Sequence, residues 1–542
     1  MIPYLPQYDP KPEDRTSYLK RNRQDYQFNR ELLPPLPFLT HVPHREFFSA
    51  DYVAKRLASM ASLPANMLAA KSKNFLDPLD TLEEYDELLT LIPKPNVMKH
   101  FRTDASFAEQ RLSGCNAIAT RQIQELPVDF AIDNDLFQSV VGNDITLDQA
   151  LKERRLYFLE HPFLDGIKGG ISKAGRKYMP KTRSLYYWAG GEQYLVPVSI
   201  ELKSESGNNR LMYTLKDAPL DWFFAKLCVQ VADCNHQELG SHFVYTHAAM
   251  GPFAVVTARQ LSENHPVSLM LKPHFRFMIF DNDLGRTSFL NPGGPIDHYA
   301  AGTLDETLTF IVKTLETWSL DTFDFPSIIK RQNMDDSELL PHYPFRDDGL
   351  LVWEAVKNYV TQYLRLYYKS SQDLLDDHEL QAWALELAAY DGGRVAGMPD
   401  KIETVEQLID VLSVVIFTCG PLHSVLNFSQ YEYMAYVPNM PYAGYQPVPE
   451  SKGIDMETIL SFLPPFQPAA EQVNWTMILT SYHYDKLGHY DEEFVDPLAQ
   501  EVVLQFQQNL ADIERQIQVR NQNRPVPFKY FLPSETINSI NT

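Results

Sequence analysis

The chain has 542 residues, of which 44% are hydrophobic and 22% are charged, a composition that is typical of a folded globular protein and excludes a disordered chain. Its formal net charge of −22 argues against a nucleic-acid-binding protein, because such proteins need a basic surface to neutralise phosphates. Four cysteines in this length exclude a disulfide scaffold, and the length alone predicts about three or four domains.

The first 45 residues are predicted to form an extended arm that contains one short helix. Prolines interrupt its start, and the run LLPPLPF at residues 32–38 interrupts its end. Its first 30 residues carry six basic and four acidic side chains, so the arm is mildly positive on an acidic chain. The simpler interpretation is a solvated arm that wraps the body, and the alternative is a peripheral membrane contact.

The remaining residues, 46–542, predict one mainly α-helical body with a small antiparallel β element. Residues 184–202 carry β-favouring side chains on both sides of Gly190-Gly191 and predict the strand pair. Elsewhere apolar residues recur at helical spacings, as in residues 348–368. The most hydrophobic stretch, residues 411–426, is shorter than the about 20 apolar residues of a membrane span, and we interpret it as a buried core helix.

A histidine cluster is the strongest chemical signal. Five of the 15 histidines fall between residues 236 and 274, and imidazole is the commonest metal ligand in proteins. His242 and His247 are five residues apart, a spacing that a regular α-helix would place about 140° apart. Wider i→i+5 bonding would bring both side chains onto one face, so we predict a π-type turn here.

A second polar pair interrupts the apolar stretch described above. His423 and Asn427 are four residues apart and share one helical face. Burying such groups costs free energy unless they find partners. Taken alone, His423 fits a hydrogen-bonded core histidine better than a metal ligand, and the residues themselves do not identify a metal.

These segments together resemble the lipoxygenase family over nearly the whole chain. The pattern of His242, His247, His265 and His274, separated by four, seventeen and eight residues, is similar to the family's histidine signature. The segments DDGLLVWEAVKNYV, ELQAW and LHSVLNFSQYEY and the terminal INSINT also resemble family blocks. The resemblance implies a single helical catalytic domain without the N-terminal β-barrel of many members, as in several bacterial lipoxygenases.

The resemblance also implies one non-haem iron, held by three histidines, an asparagine side chain and the C-terminal carboxylate: His242, His247, His423, Asn427 and Thr542. Family members usually end in isoleucine, so Thr542 is a departure that should leave a free carboxylate able to bind. His265 and His274 are expected to form hydrogen bonds in the core. Gln237 stands where the signature usually begins with a histidine, and His236 lies one residue earlier.

A lipoxygenase would insert O2 into a polyunsaturated fatty acid that has a cis,cis-1,4-pentadiene, such as linoleate, linolenate or arachidonate. The family mechanism is hydrogen abstraction by ferric hydroxide, followed by addition of O2 to give a hydroperoxide. Phe289 and Leu479 match the residues that clamp the pentadiene over iron. Gln430 matches the family's glutamine that links the Asn427 region to the pocket.

Three other residues match positions that shape the pocket. Ala300 and Ala301 lie near the family's determinant of pocket depth, where small residues imply a deep channel. Met440 stands where many plant members have an arginine, so no buried cation would meet a carboxylate that enters head first.

Gly285 matches the family's stereochemical switch, at which glycine accompanies R-configured products. Glycine lacks a Cβ, which would leave space for O2 beside one end of the pentadienyl radical. The alternative interpretation is a turn glycine after residues 281–283.

Other function classes stay open at this point. A hydroperoxide isomerase on the same fold, or an inactive lipid-binding protein, would satisfy much of the same pattern, whereas a zinc hydrolase is disfavoured by the missing HExxH motif. The N-terminus lacks a signal-peptide pattern, so we expect a cytoplasmic protein. We also expect a monomer, and the arm is its candidate membrane contact.

Overall fold

The computed structural model describes residues 2–73, 79–190, 195–207, 209–490 and 494–542. Most of these residues are helical, and the strands form small antiparallel sheets, so the predicted mainly α fold is confirmed. Most buried apolar side chains belong to one continuous core, with a smaller core behind the largest sheet, in place of the several domains that length alone predicted. Ahead of the helical body, the described residues form no β-barrel.

The α-helices, in chain order, are α1 (Pro12–Asp25), α2 (Ala50–Ser59), α3 (Leu63–Lys73), α4 (Asp104–Ser113), α5 (Asn134–Val141), α6 (Leu147–Lys152), α7 (Pro219–His236), α8 (Ala249–Gln260), α9 (Pro266–Leu271), α10 (Met278–Ser288), α11 (Pro295–Tyr299), α12 (Leu304–Leu315), α13 (Phe325–Arg331), α14 (Pro344–Tyr367), α15 (Ser371–Leu375), α16 (His378–Ala388), α17 (Val405–Phe417), α18 (His423–Phe428), α19 (Gln430–Met434), α20 (Met456–Phe462), α21 (Phe466–Thr480) and α22 (Pro497–Asn521). Two π-helical segments, π1 (Gln237–Ala248) and π2 (Thr418–Leu422), join α7 to α8 and α17 to α18.

Short 3₁₀ turns lie at Pro6–Tyr8, His44–Glu46, Glu83–Leu89, Asn96–Lys99, Ala117–Ala119, Pro162–Gly166, Lys272–Phe275 and Leu320–Thr322. The strands are β1 (Phe28–Asn29), β2 (Phe38–Leu39), β3 (Arg121–Ile123), β4 (Leu156–Glu160), β5 (Ile171–Ser172), β6 (Gly175–Arg176), β7 (Lys181–Tyr187), β8 (Val196–Lys203) and β9 (Arg210–Tyr213).

The largest sheet has the antiparallel strand order β3-β4-β7-β8-β9. The predicted strand pair is its centre, because β7 pairs with β8; of the predicted turn, Gly191 lies outside the described residues. Side chains alternate between the two cores along β7: Tyr186 belongs to the main core, whereas Leu185 and Tyr187 belong to the smaller one. The sheet thus closes one side of the helical body.

The N-terminal segment lies against this body. Helix α1 provides the predicted short helix and packs on α8. Its Arg15 is buried and forms ion pairs of 2.8 Å with Asp9 and with Glu379. At least this cation of the arm is therefore buried against the body and not exposed to solvent. The predicted domain boundary between residues 45 and 46 stays a prediction.

The most apolar stretch runs through the centre of the protein. Within the described residues, the helical run Val405–Met434 has the length and composition of a membrane span, and 94% of its most apolar window is buried in the protein. Thr404 caps its start by accepting a hydrogen bond from the backbone N–H of Gln407, and α17 packs on α14. This burial agrees with the predicted core helix.

Candidate metal centre

The three histidines predicted as ligands meet at the crossing of the two π-helical segments. His242 and His247 both lie in π1, which confirms the predicted π-type turn, and their Nε2 atoms are 3.3 Å apart. His423 begins α18 directly after π2, and its Nε2 lies 3.3 Å from that of His242. All three side chains are buried, and their ligand atoms lie within 4.8 Å of one another.

Asn282 on α10 orients one of these rings. Its Nδ2 donates to the His247 backbone carbonyl at 3.1 Å, so its Oδ1, 2.9 Å from His247 Nδ1, is the acceptor. The ring proton of His247 is therefore on Nδ1, and the Nε2 lone pair points at the other histidines. Lone pairs that converge in a buried site repel one another unless a cation lies between them.

Asn427 and Thr542, the other two predicted ligands, contact one another through their side chains. Asn427 Nδ2 donates to the Leu479 carbonyl at 2.8 Å and to Thr542 Oγ1 at 2.9 Å. Asn427 Oδ1 is buried and has no hydrogen-bond partner, as expected of a group that awaits a metal. Thr542 is 3% exposed. Imidazole, amide and carboxylate donors are a set that suits iron, so the residues present fit the implied ion.

The last residues of the sequence are fixed beside this site. His274 Nδ1 donates to the Asn538 carbonyl at 2.8 Å, and its Nε2 lies 3.1 Å from the Tyr490 hydroxyl. Ser539 Oγ donates to the Arg276 carbonyl at 2.8 Å. The predicted hydrogen-bonding role of His274 is thus to anchor the segment that ends at Thr542.

The other signature residues also form core hydrogen bonds. His265 Nε2 lies 2.9 Å from Asp377 Oδ2, while its Nδ1 accepts from the backbone N–H of Val267. Gln237, which replaces the usual first histidine, donates from Nε2 to the Leu426 carbonyl at 2.7 Å. That bond joins π1 to α18, so the departure from the family pattern leaves the two ligand-bearing elements connected.

One cavity adjoins the cluster and brings several predicted residues together. It is lined by Arg56, Glu238, Leu239, His242, Phe243, His247, Asp281, Asn282, Leu284, Gly285, Phe289, Leu290, Ile296, Leu479 and Thr542. The predicted clamp residues Phe289 and Leu479 are both present. The Phe289 ring packs edge-on against Trp475, with centroids 4.5 Å apart, which fixes the position of that side of the clamp.

Gly285 faces the same cavity from inside α10. The alternative interpretation of Gly285 as a turn residue is wrong, because it lies three residues before the end of that helix. A Cβ built at this position would have no heavy atom within 4 Å. The position is thus open space, and alanine can be placed there without a clash.

Ala300, Ala301 and Met440 are buried but do not line this cavity. The backbone N–H of Ala301 donates to Asn235 Oδ1 at 3.2 Å, and Met440 Sδ lies 3.6 Å from Cys115 Sγ. These contacts are core packing, and the role of the three residues in pocket depth draws no support from the cavity.

Gln430 connects the cavity wall to a ligand. Its Nε2 donates to Glu238 Oε2 at 2.8 Å and lies 3.3 Å from His242 Nδ1. The predicted link between ligands and pocket therefore runs through Glu238 and His242. Glu238 lies four residues before His242 on π1, and that spacing could have identified it from the sequence.

Comparisons with known proteins decide the family. The sequence model described as Lipoxygenase matches residues 4–529. The chain belongs to the lipoxygenase family. This lipoxygenase is 30% identical over 450 residues to the polyunsaturated fatty acid lipoxygenase ALOX15B of Rattus norvegicus, a match that covers 82% of the chain and 66% of the relative. It thus spans about two thirds of that relative's length.

Two further relatives are named for different activities. The linoleate 9/13-lipoxygenase of Pseudomonas aeruginosa is 32% identical over 493 residues, which is 85% of this chain and 70% of the relative. The hydroperoxide isomerase ALOXE3 of Homo sapiens is 28% identical over 491 residues, which is 88% of this chain and 68% of the relative.

Solved structures share the fold over the full chain. An anaerobic lipoxygenase structure in complex with arachidonate has a TM-score of 0.93 and 26% identity, covering 100% of this chain and 84% of that one. The coral 8R-lipoxygenase structure has a TM-score of 0.92 and 27% identity, covering 100% and 83%.

Burial favours the neutral form of two candidate ligand histidines of this lipoxygenase, His247 and His423. Burial lowers the pKa of His247 to about 3, with His242 adding to the shift and the hydrogen bond from Asn282 opposing it. Burial, and then His247 and His242, hold the pKa of His423 well below its usual value. Neutral imidazole is the form that binds metal, so burial keeps these two side chains in the form that can accept an ion.

Replacing Asn282 with alanine is expected to weaken iron binding about 10–100-fold, the usual effect of losing a group that orients a metal ligand. The variant leaves His247 Nδ1–H without its acceptor, so the ring is free to rotate. Chelator competition, followed by iron content, measures the effect. Asn282→Asp, which keeps the acceptor oxygen, is the control and should bind iron nearly normally; equal affinity of Asn282→Ala and wild type would contradict the orienting role.

Acid should destabilise the protein through buried histidines outside the metal site. Burial lowers the pKa of His274 to about 4 and that of His236, with a contribution from His161, to about 3, against about 6.5 in the unfolded chain. Between the folded and unfolded pKa values, the unfolded chain binds more protons than the folded protein. The free energy of unfolding therefore decreases as the pH is lowered, by about 1.4 kcal/mol per pH unit for each histidine.

Urea unfolding between pH 7 and pH 4 tests this pH dependence. His274→Gln keeps a donor for the Asn538 carbonyl and should reduce the slope of stability against pH by one proton. The same slope in both proteins would show that His274 is not a source of the acid sensitivity.

Proposed function

We propose that this protein is a fatty-acid dioxygenase that holds one non-haem iron. The observation that carries the proposal is the convergence of three buried Nε2 atoms and the unpartnered Asn427 Oδ1 beside an apolar cavity. His242, His247, His423 and Asn427 would hold the iron with the carboxylate of Thr542. Bound iron would supply the one-electron chemistry that activates a pentadiene toward O2.

The chain's own residues would position the substrate. Phe289 and Leu479 line the cavity and would hold the pentadiene beside the metal. Leu479 also accepts the hydrogen bond from Asn427 Nδ2, so one residue joins the substrate wall to a ligand. The apolar lining would exclude water from the reacting carbons.

Arg56 gives the cavity a cation for the fatty-acid carboxylate. Its Nη1 donates to the Tyr52 hydroxyl at 2.8 Å and lies 3.5 Å from the Asn541 carbonyl oxygen. Asp281 on the same wall has a pKa raised by burial to about 6, despite the opposing charges of Arg56 and His242. We propose that the carboxylate lies at Arg56 and that the methyl end enters first, since Arg56 is the one lysine or arginine among the described residues that line the cavity.

Replacing Arg56 with methionine should raise KM for linoleate roughly tenfold with little change in kcat, because the ion pair contributes equally to ground and transition states. Methyl linoleate lacks the carboxylate and is the control substrate, for which wild type and variant should behave alike. An equal rise in KM for both substrates would indicate lost packing, and the orientation proposal would then fail.

Linoleate and arachidonate are the substrates to test first. One relative is named a linoleate lipoxygenase, and a lipoxygenase structure that shares the fold contains arachidonate. We propose R-configured hydroperoxides, supported by Gly285 in the cavity wall and by the fold shared with the coral 8R-lipoxygenase. The experiment is oxygen uptake by the iron-loaded chain, followed by chiral chromatography of the reduced products. No uptake with either acid would refute the dioxygenase.

A hydroperoxide isomerase is the second candidate, because a relative named for that activity matches 88% of the chain. An isomerase would consume fatty-acid hydroperoxide without net uptake of O2, so parallel measurement of the two distinguishes the candidates. Location in the cytoplasm, the monomeric state and membrane contact through the arm stay predictions.

A further inference from the structure

The amide of Asn427 has a fixed orientation at the candidate metal centre. Its Nδ2 carries two protons and contacts two acceptors, the Leu479 carbonyl at 2.8 Å and Thr542 Oγ1 at 2.9 Å. A carbonyl oxygen can only accept a hydrogen bond, so the nitrogen of the amide must face Leu479. Oδ1 is therefore on the other side of the amide, where it is buried without a partner.

The Leu479 carbonyl satisfies only one of the two amide protons. It is available because Leu479 lies in the last turn of α21, which ends at Thr480, and carbonyls in the last turn of a helix lack a helical partner. The second proton depends on the Thr542 hydroxyl, since an aliphatic side chain at position 542 could not accept it. A buried N–H group without an acceptor is unfavourable and would favour rotation of the amide away from this orientation.

The Thr542 hydroxyl is itself held in place through the preceding peptide bond. The Tyr52 hydroxyl donates to the Asn541 carbonyl at 2.5 Å, and Asn541 Nδ2 donates to Ser539 Oγ at 2.9 Å. The Asn541 carbonyl belongs to the planar peptide unit that joins Thr542 to the chain, so the bond from Tyr52 limits rotation of that unit. Because threonine is branched at Cβ, its χ1 angle is also restricted.

Tyr52 is a rigid support for this peptide unit. It is 0% exposed, and its ring lies 4.5 Å from that of Phe48 and 5.2 Å from that of Tyr484, measured between centroids. Arg56 Nη1 donates to the Tyr52 hydroxyl at 2.8 Å. Since arginine can only donate, the single proton of the Tyr52 hydroxyl is directed to the Asn541 carbonyl.

We propose that Thr542 serves the metal centre with its side chain as well as with its carboxylate. Its hydroxyl positions the Asn427 amide and keeps Oδ1 available as a ligand. Hydrogen bonds from both N–H groups polarise the amide and increase the negative charge on Oδ1, which makes it a stronger ligand. This role deepens the proposed function and rests on it, whereas the hydrogen bond itself requires no metal.

Chelator competition with the full chain tests the role at the metal. Thr542→Val, which removes the hydroxyl at nearly constant volume, should bind iron about tenfold more weakly than wild type, and Thr542→Ser, which returns the hydroxyl, should restore the affinity to within about threefold. The electron paramagnetic resonance spectrum of the ferric protein reports the ligand field, so it should change in Thr542→Val and not in Thr542→Ser. Thr536→Val is the matched control: it removes a buried hydroxyl that donates to the Leu532 carbonyl and should bind iron like wild type.

Urea unfolding of the metal-free protein tests the hydrogen bond separately. Thr542→Val should lower the urea midpoint of the wild-type chain but not that of Asn427→Leu, which has no amide to satisfy. An equal decrease in both backgrounds would overturn the positioning role, as would an unchanged iron affinity and spectrum in Thr542→Val. A wild type that binds no iron would overturn the proposed function and the role at the metal together, and the metal-free comparison would distinguish that result from absence of the hydrogen bond.

Discussion

Replacing His423 with alanine is expected to give a folded protein that contains no iron and takes up no measurable O2. The substitution removes one of three Nε2 atoms that lie within 4.8 Å of one another, so two histidines would remain with Asn427 and Thr542 to hold the ion. Loss of a group that only orients a ligand costs about 10–100-fold, so loss of the ligand itself should exceed that range. Iron analysis and oxygen uptake give independent readings.

The metal-free variant should be at least as resistant to urea as metal-free wild type, because removing one imidazole relieves the repulsion between converging lone pairs. His378→Ala, at an exposed position at the start of α16, is the control and should keep both iron and activity. A His423→Ala protein that retains stoichiometric iron would exclude this histidine as a ligand.

Gly285→Ala is expected to invert the chirality of the product, from mainly R toward mainly S at a different carbon. The new methyl group would occupy open space in the cavity wall, since no heavy atom lies within 4 Å of the position of its Cβ. It would therefore block one approach of O2 without displacing the protein. A change of product ratio from about 10:1 to 1:10 corresponds to only about 2.7 kcal/mol between two transition states.

Chiral chromatography of the reduced products measures the switch. Gly166→Ala is a matched control, since it also adds a methyl group into space free of heavy atoms, at a residue that does not line the cavity. It should leave the product unchanged. Mainly S product from wild type, or the same product from wild type and Gly285→Ala, would show that O2 reaches the radical by another route.

The features visible in the sequence were those with short-range periodicity. The five-residue spacing of His242 and His247 predicted π1 because only that winding places both rings together, and the apolar run around His423 predicted a core helix. Thr542 was identified by the family resemblance, since no spacing connects it to the histidines.

Partners distant in the chain could not be predicted in this way. Asn282 contacts His247 across 35 residues, and this contact depends on how α10 packs against π1. Arg56 reaches the cavity from a helix with no catalytic motif. Ala300, Ala301 and Met440 match family positions but do not line the described cavity, because small shifts between helices decide which side chains reach a cavity wall. Their role in pocket depth stays a prediction.

Leu479 sets a limit on how this lipoxygenase can be redesigned. Its side chain lines the cavity, and its carbonyl accepts the hydrogen bond from Asn427. A larger side chain introduced there to select shorter lipids would displace the backbone whose carbonyl binds the Asn427 amide. A smaller side chain would reduce the packing that holds this backbone in place. Substrate size and the coordination of the metal are therefore not independent design variables at position 479. Substitutions meant to change substrate specificity without disturbing the metal site should begin at Phe289, whose ring packs edge-on against Trp475.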